Sequence, residues 1–176
     1  MLDLFIEPAK SLLRMGIDTF KKSEDMKTLT IVVQDRVQRE VKFNLEVVQQ
    51  IVKKDKNGEL ANPEDVRLAL VKSLRTRAFD ELNNETIPVS LFFACPLERE
   101  KWPKNPKTWG DVERYMKHTA ADETLADLLE RLYHRMYLAK TYADCGKLQG
   151  DMDYMRFLLM ALLNSLKTVQ SEVVVR

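Results

Sequence analysis

Arg131 and His134 come nearest, in type and spacing, to a catalytic pair in this chain. Histidine titrates near neutral pH and commonly serves as a general acid or base. An arginine one helical turn away can neutralise the charge that develops on a phosphate during cleavage. The reaction that this pair could perform is RNA cleavage, with Arg131 and His134 as the catalytic residues.

The HEPN class of helical-bundle ribonucleases uses an Arg and a His in this way. Its motif separates the two by more residues than stand between Arg131 and His134, and it favours a polar residue after the arginine, where this chain has Leu132. Arg114 and His118 are also too close together. The pattern departs from the motif of that family, and the sequence favours a non-catalytic protein over an enzyme.

A second group of residues with a binding chemistry lies in an irregular, proline-containing loop at about residues 95–109. An exposed indole ring could stack on a nucleic-acid base while neighbouring lysines contact phosphates. Tryptophans beside such a loop also fold back as hydrophobic lids, which is the interpretation that we favour. The residues of the alternative, a binding loop, are Lys101, Trp102, Lys104, Lys107 and Trp109.

Cofactor and metal chemistry lack the residues that they need. The chain has 2 histidines, too few to build a set of three or four metal ligands with nearby acids. Its 5 glycines form neither a phosphate-binding loop nor a dinucleotide fingerprint. Cys95 and Cys145 lie far apart and match neither a disulfide framework nor a zinc site. We therefore expect no metal and no cofactor, and two reduced thiols in a cytoplasmic protein.

The overall charge and the hydropathy give no support for nucleic-acid or membrane binding, except through a local patch. The 28 basic and 27 acidic residues nearly cancel, so no global field draws the chain to nucleic acid or to an anionic membrane. The most apolar window, residues 154–166, is shorter than the roughly 20 residues that a membrane-spanning helix needs. It also contains Arg156 and Asn164. The sequence predicts no membrane span, and this window should be a buried core helix.

The elements that position these residues are predicted to be helices. A chain with 45% hydrophobic and 31% charged residues but 5 glycines and 6 prolines is typical of a globular, helix-rich protein. Two long apolar segments, about 123–144 and 151–169, are joined across Gly146 to Gly150 and predict a C-terminal antiparallel helical hairpin. We expect a single all-α domain over residues 1–176, a bundle of about five or six helices around this hairpin.

Helical and strand patterns overlap in the first half of the chain. In residues 27–54 a stripe of valines and leucines has helical spacing, yet Val41, Phe43 and Leu45 also alternate as in a strand. The stripe is much longer than the alternation, so a long helix is favoured, with strands within 28–48 as the alternative.

After this segment, Asn62 is predicted to cap a helix that runs to about residue 79, with Val66 on its buried side.

The last helix is apolar around more of its circumference than a surface helix requires. Such a helix either lies at the centre of a bundle or lends one face to another chain. We therefore expect a non-catalytic protein–protein interaction, regulatory or assembly protein that uses apolar helix faces and associates with itself, as in a homodimer. The alternative is a ribonuclease or nucleic-acid-binding protein that uses Arg131 and His134 or the lysine and tryptophan loop.

Overall fold

The computed structural model describes residues 24–83, 88–99, 102, 112–120 and 122–174, and most of these are helical. The helices are α1 (Glu24–Ile51), α2 (Glu64–Lys72), α3 (Arg77–Asn83), α4 (Ser90–Phe93), α5 (Val112–His118), α6 (Leu125–Asp144) and α7 (Met152–Val174). Extended pairing within these ranges is limited to isolated bridges, Lys54 with Leu60 and Pro96 with Thr124. The predicted all-α fold is confirmed.

Backbone contacts divide the chain into two compact units, Met1–Arg36 and Val37–Arg176. The described residues of the first unit are the beginning of α1. The assignment of residues 1–176 to one domain stays a prediction.

The segment that left helix and strand open is helical from Glu24 to Ile51. Within the second unit, Val37, Val41 and Val48 of the predicted stripe are fully buried. Burial along one face outweighs the strand preference of the β-branched residues because the helical spacing places these three valines on the core. The chain then reverses at Gly58, whose φ of 84° favours glycine.

The predicted helix from Asn62 to about residue 79 is wrong in three respects. It is two helices, α2 and α3, separated by residues 73–76. It begins after Pro63, which takes the cap position in extended conformation, while the Asn62 amide donates to the carbonyl of Gln50 at 2.8 Å. Val66 is exposed. The helix ends at Lys72, so the apolar stripe that was predicted to continue to about residue 79 is divided between two helices.

The long C-terminal helices form the centre of the second unit. Thr124 and Asp127 close a reciprocal capping box at the start of α6, which the sequence analysis did not identify. Hydrogen bonds from Thr124 lower the pKa of Asp127.

Helix α6 packs against α7, α2 and α4. Seven residues with helical spacing along one side of α6 are buried: Leu125, Leu128, Leu129, Leu132, Met136, Ala139 and Ala143.

Candidate functional site

A buried cluster of charged side chains surrounds Glu123, just before α6. Its Oε1 atom accepts hydrogen bonds from Nε of Arg131 at 3.2 Å and from Nη2 of Arg131 at 2.7 Å. Its Oε2 atom accepts from Nη2 of Arg99 at 3.2 Å and from the hydroxyl of Tyr115. The side chains of Glu123 and Arg99 are each 4% exposed. One carboxylate therefore holds together three elements of the chain in a site that is nearly closed to water.

Backbone pairing brings these side chains together. The amide of Leu97 donates to the carbonyl of Glu123 at 3.1 Å, and the amide of Leu125 donates to the carbonyl of Cys95 at 2.9 Å. These bonds hold the strand-like residues around Pro96 against the amino-terminal end of α6. Arg99 and Arg131, the latter nearly two turns into α6, then both reach the carboxylate.

Tyr115 is the third partner of the carboxylate and acts as a hydrogen-bond donor. Burial raises its pKa far above the ordinary value, and the hydrogen bond to Glu123 and the negative charge of Glu123 raise it further. The phenol therefore stays protonated at neutral pH, which suits a donor and not a base. The guanidinium groups of Arg99 and Arg131 lie 5.5 Å and 5.9 Å from the centre of the Tyr115 ring.

The two candidate catalytic residues, Arg131 and His134, have different surroundings in the structure. Arg131 gives two donors to Glu123, and its side chain is about one-third exposed. His134 is exposed, and among the described residues it has no hydrogen-bonding or ion-pair partner. Glu123, which the sequence analysis did not identify, binds the guanidinium of Arg131. Catalysis would need the same guanidinium to neutralise charge on a phosphate. Catalysis by this pair stays a prediction.

Replacing Arg131 and His134 separately tests which of them the fold needs. Arg131→Ala should lower the free energy of unfolding by about 1 to 2 kcal/mol, since it removes two bonds to a buried carboxylate but is itself partly screened by water. His134→Ala should change it by less than about 0.5 kcal/mol. Chemical denaturation measures both values. Equal losses in the two variants would contradict the assignment of Arg131 to the cluster.

The proposed binding loop is described at one of its five residues. Trp102 is 3% exposed, with its ring centre 5.3 Å from that of Tyr115 and 6.0 Å from that of Phe157. The indole therefore packs on the core as the favoured lid interpretation predicts, and a base could not stack on it without displacing these rings. Lys101, Lys104, Lys107 and Trp109 lie outside the described residues.

A second buried polar group, also missed from the sequence, lies on α1. The side chain of Asn44 is fully buried and pairs with one residue of the segment between α2 and α3. Its Nδ2 atom donates to the carbonyl of Arg75 at 2.7 Å, and its Oδ1 atom accepts from the amide of Arg75 at 2.8 Å. Asn44 therefore satisfies both backbone groups of a residue that belongs to no helix.

Glu40, one turn before Asn44, binds the start of α3. Its carboxylate accepts from the amide of Ala78 at 2.9 Å and from the hydroxyl of Tyr133 at 2.6 Å. Burial raises the pKa of Tyr133 far above its ordinary value, and the charge of Glu40 and the hydrogen bond to it add to this effect. The Tyr133 ring stacks on Phe79 at 4.5 Å between ring centres. Asn44 and Glu40 thus both bond backbone groups of the chain between the end of α2 and the start of α3.

The exposed side of α6 differs from these clusters because it combines apolar and charged side chains in contact with water. Leu138 is 59% exposed, and Tyr142, one turn further on, is 38% exposed. We define the outer face of α6 as six of its exposed residues: Asp127, Glu130, His134, Leu138, Thr141 and Tyr142. The sequence carried a signal for this face, since His134 lies opposite the apolar stripe with Glu130 and Leu138 beside it.

The described residues contain neither a candidate metal site nor a candidate membrane span. No group of three or more His, Cys, Asp or Glu side chains there could hold a metal ion. No helix in the same ranges is long and apolar enough to cross a membrane. Cys95 is half-buried and Cys145 is exposed, and both are free thiols.

Comparisons with known proteins add no assignment to this geometry. The chain matches no protein-family model, and it matches no curated protein and no solved structure. Any function must therefore be argued from the clusters around Glu123 and Glu40 and from the outer face of α6.

Proposed function

We propose that the protein is a non-catalytic interaction protein that assembles through the outer face of α6, with a second copy of the chain as its partner. The observation that carries the proposal is the position of Leu138. It has the largest exposed fraction among the large hydrophobic side chains of the described residues. It also lies in the middle of a helix whose opposite side packs against three other helices.

The energetics of this face favour burial in an interface. Covering one large apolar side chain contributes about 1.5 to 3 kcal/mol, and Leu138 and Tyr142 form adjacent steps of one helical ridge. Tyrosine suits an interface because its ring is apolar while its hydroxyl can remain hydrated or bonded. The formal net charge of +1 offers little repulsion between two copies. A second copy is therefore a chemically suitable partner.

The assembly is expected to be weak. One helix pair buries a small area compared with the roughly 1,200 Å² at the lower limit of stable interfaces. We therefore expect a dissociation constant between about 10 μM and 1 mM, equivalent to roughly 4 to 7 kcal/mol of association free energy. Such a dimer is detected only when the concentration is varied across this range.

Substitution of Leu138 by a charged residue tests the proposal. In sedimentation equilibrium, the mass of the native protein should rise from 20.5 kDa toward twice that value as concentration increases. Leu138→Glu should weaken the association at least about tenfold, because it places two buried carboxylates at the contact. Leu60, exposed to 46%, provides the matched control Leu60→Glu, which should associate like the native protein.

Two results would contradict the proposal. One is a native protein that stays at 20.5 kDa over the whole concentration range. The other is an association that Leu138→Glu and Leu60→Glu weaken equally, which would place the contact elsewhere. Circular dichroism of both variants checks that each is folded.

The competing function, ribonuclease activity or nucleic-acid binding, has less support. Arg131 donates to Glu123, and the Trp102 ring is covered by Tyr115 and Phe157. The discriminating experiment is an RNA cleavage assay on the native protein and on His134→Ala. Cleavage that is lost in a folded His134→Ala variant would favour the ribonuclease over the assembly protein.

A further inference from the structure

We propose that Asn57 is a site of spontaneous covalent modification, at which deamidation converts its side-chain amide to a carboxylate. The product is aspartate or its isomer isoaspartate, in which the backbone runs through the side-chain carbonyl. The proposal is independent of the assembly proposed above, since Asn57 lies in the turn after α1 and not on the outer face of α6. It follows from the residue that comes next, Gly58, and from the surroundings of this turn.

The chain on both sides of Asn57 is in contact with water. Every residue from 53 to 61 is exposed. The segment lies between α1, which ends at Ile51, and α2, which begins at Glu64. Exposed segments between helices open locally with a small change in free energy. Water and the conformations that the reaction needs are therefore accessible at Asn57.

The side chain of Asn57 has no hydrogen-bonding partner among the described residues. Its backbone amide donates to Oδ1 of Asp55 at 2.8 Å, and the amide of Glu59 donates to the same atom at 3.0 Å. These bonds hold the backbone of the turn, and they leave the carboxamide of Asn57 able to rotate toward the next peptide nitrogen. The carboxamide of Asn44, by contrast, is bonded at both polar atoms in the core.

Gly58 supplies the attacking atom, which is its backbone nitrogen. That N–H donates to the carbonyl of Asp55 at 3.2 Å, a long bond at the surface that local opening breaks. Glycine has no Cβ, so no side chain obstructs the approach of the nitrogen to the carboxamide of Asn57. Because the two groups belong to adjacent residues, the reaction is intramolecular, which favours ring closure.

The reaction balances with water as the other reactant. The nitrogen of Gly58 forms a bond to Cγ of Asn57, and the bond from Cγ to Nδ2 breaks. Nδ2 leaves as ammonia with the proton of the Gly58 N–H, and a five-membered succinimide ring remains. Water then opens the ring at Cγ to give aspartate, or at the backbone carbonyl carbon of residue 57 to give isoaspartate. No atom is oxidised or reduced.

The product differs from the native protein in charge and in backbone length. Either acid adds one negative charge, which removes the formal net charge of +1. Isoaspartate also lengthens the backbone by one carbon atom between the amides that bond to Asp55. We expect the change to stay within the turn and the helices to remain intact, because residues 53–61 belong to no helix.

The experiment incubates the full chain at physiological temperature and slightly alkaline pH, and peptide mapping by mass spectrometry measures the conversion of each asparagine. A sample taken before incubation corrects for conversion during digestion. Asn83 is a matched control because it is exposed but is followed by Asn84. Asn62 is a second control, since Pro63 has no N–H to lose. We expect Asn57 to convert at least about fivefold faster than Asn83, and Asn62 to remain an amide.

The variant Asn57→Gln assigns the new charge to this residue. Glutamine would have to close a larger ring, so the acidic species that ion-exchange chromatography separates from the native protein should be nearly absent in the variant. Conversion of Asn57 no faster than that of Asn83 would overturn the proposal. Equal amounts of the acidic species in the native protein and in Asn57→Gln would also overturn it. Neither result bears on the association of the chain through α6.

Discussion

Replacing Glu123 by alanine should lower the free energy of unfolding by about 3 to 5 kcal/mol, the range observed when one partner is removed from a buried ion pair. The loss is large because the carboxylate bonds Arg99, Arg131 and Tyr115 at once. Without it, the guanidinium of Arg99 would stay buried with its charge uncompensated. Denaturation by urea, followed by the fluorescence of Trp102 beside this cluster, measures the change.

The Glu123 prediction has a matched acidic control and a compensating variant. Asp144 forms a 3.8 Å ion pair with Lys72 and is 71% exposed, so Asp144→Ala should cost less than about 0.5 kcal/mol. Replacing Glu123 and Arg99 together by leucine and methionine should recover part of the loss, since apolar residues of similar size leave no buried charge. A loss below about 1 kcal/mol for Glu123→Ala would contradict the buried state of the cluster.

Replacing Asn44 by alanine should destabilise the protein by about 2 to 4 kcal/mol, since it leaves both the amide and the carbonyl of Arg75 without a partner. Asn44 is fully buried while Arg75 is exposed, so the expected loss lies below the full cost of two buried groups without partners. Thermal or urea unfolding, monitored by circular dichroism, gives the difference. The variant should keep its helices, because the apolar contacts of α1 and the hydrogen bonds of Glu40 remain.

Asn62 is the matched control for this substitution. Its Nδ2 atom also donates to a backbone carbonyl, that of Gln50 at 2.8 Å, but at the surface, where water can take its place. Asn62→Ala should therefore cost no more than about 0.5 to 1 kcal/mol. Similar losses for Asn44→Ala and Asn62→Ala would show that burial does not set the strength of the Asn44 bonds.

The local structure of the chain could be predicted where apolar residues recur over many turns. The valine stripe of α1 and the leucine stripes of α6 and α7 extend over many residues, and each element is a helix in the structure. The reversals at Gly58 and across Gly146 to Gly150 could also be located, since each of these three glycines has a positive φ. These features could be predicted because they depend on residues that are close together in the sequence.

The start and end of the shorter helices could not be predicted in the same way. The break between α2 and α3 depends on Asn44, which lies 31 positions before the residue whose backbone it binds. The capping function assigned to Asn62 was wrong because its side chain binds Gln50, a residue of α1. Where a distant side chain satisfies the backbone, the local preference of the segment no longer decides its conformation.

The candidate site shows the same division between sequence and tertiary structure. Periodicity alone placed His134 and Leu138 on the side of α6 away from the core, because the direction of a side chain on a helix follows from its position in the repeat. Glu123 gave no comparable signal, since its partners lie 24 positions before it and 8 positions on either side. The sequence alone thus determined the helices and their apolar faces. The tertiary structure decided which polar residues are buried, because burial of a charge depends on partners that only the fold brings within hydrogen-bonding distance.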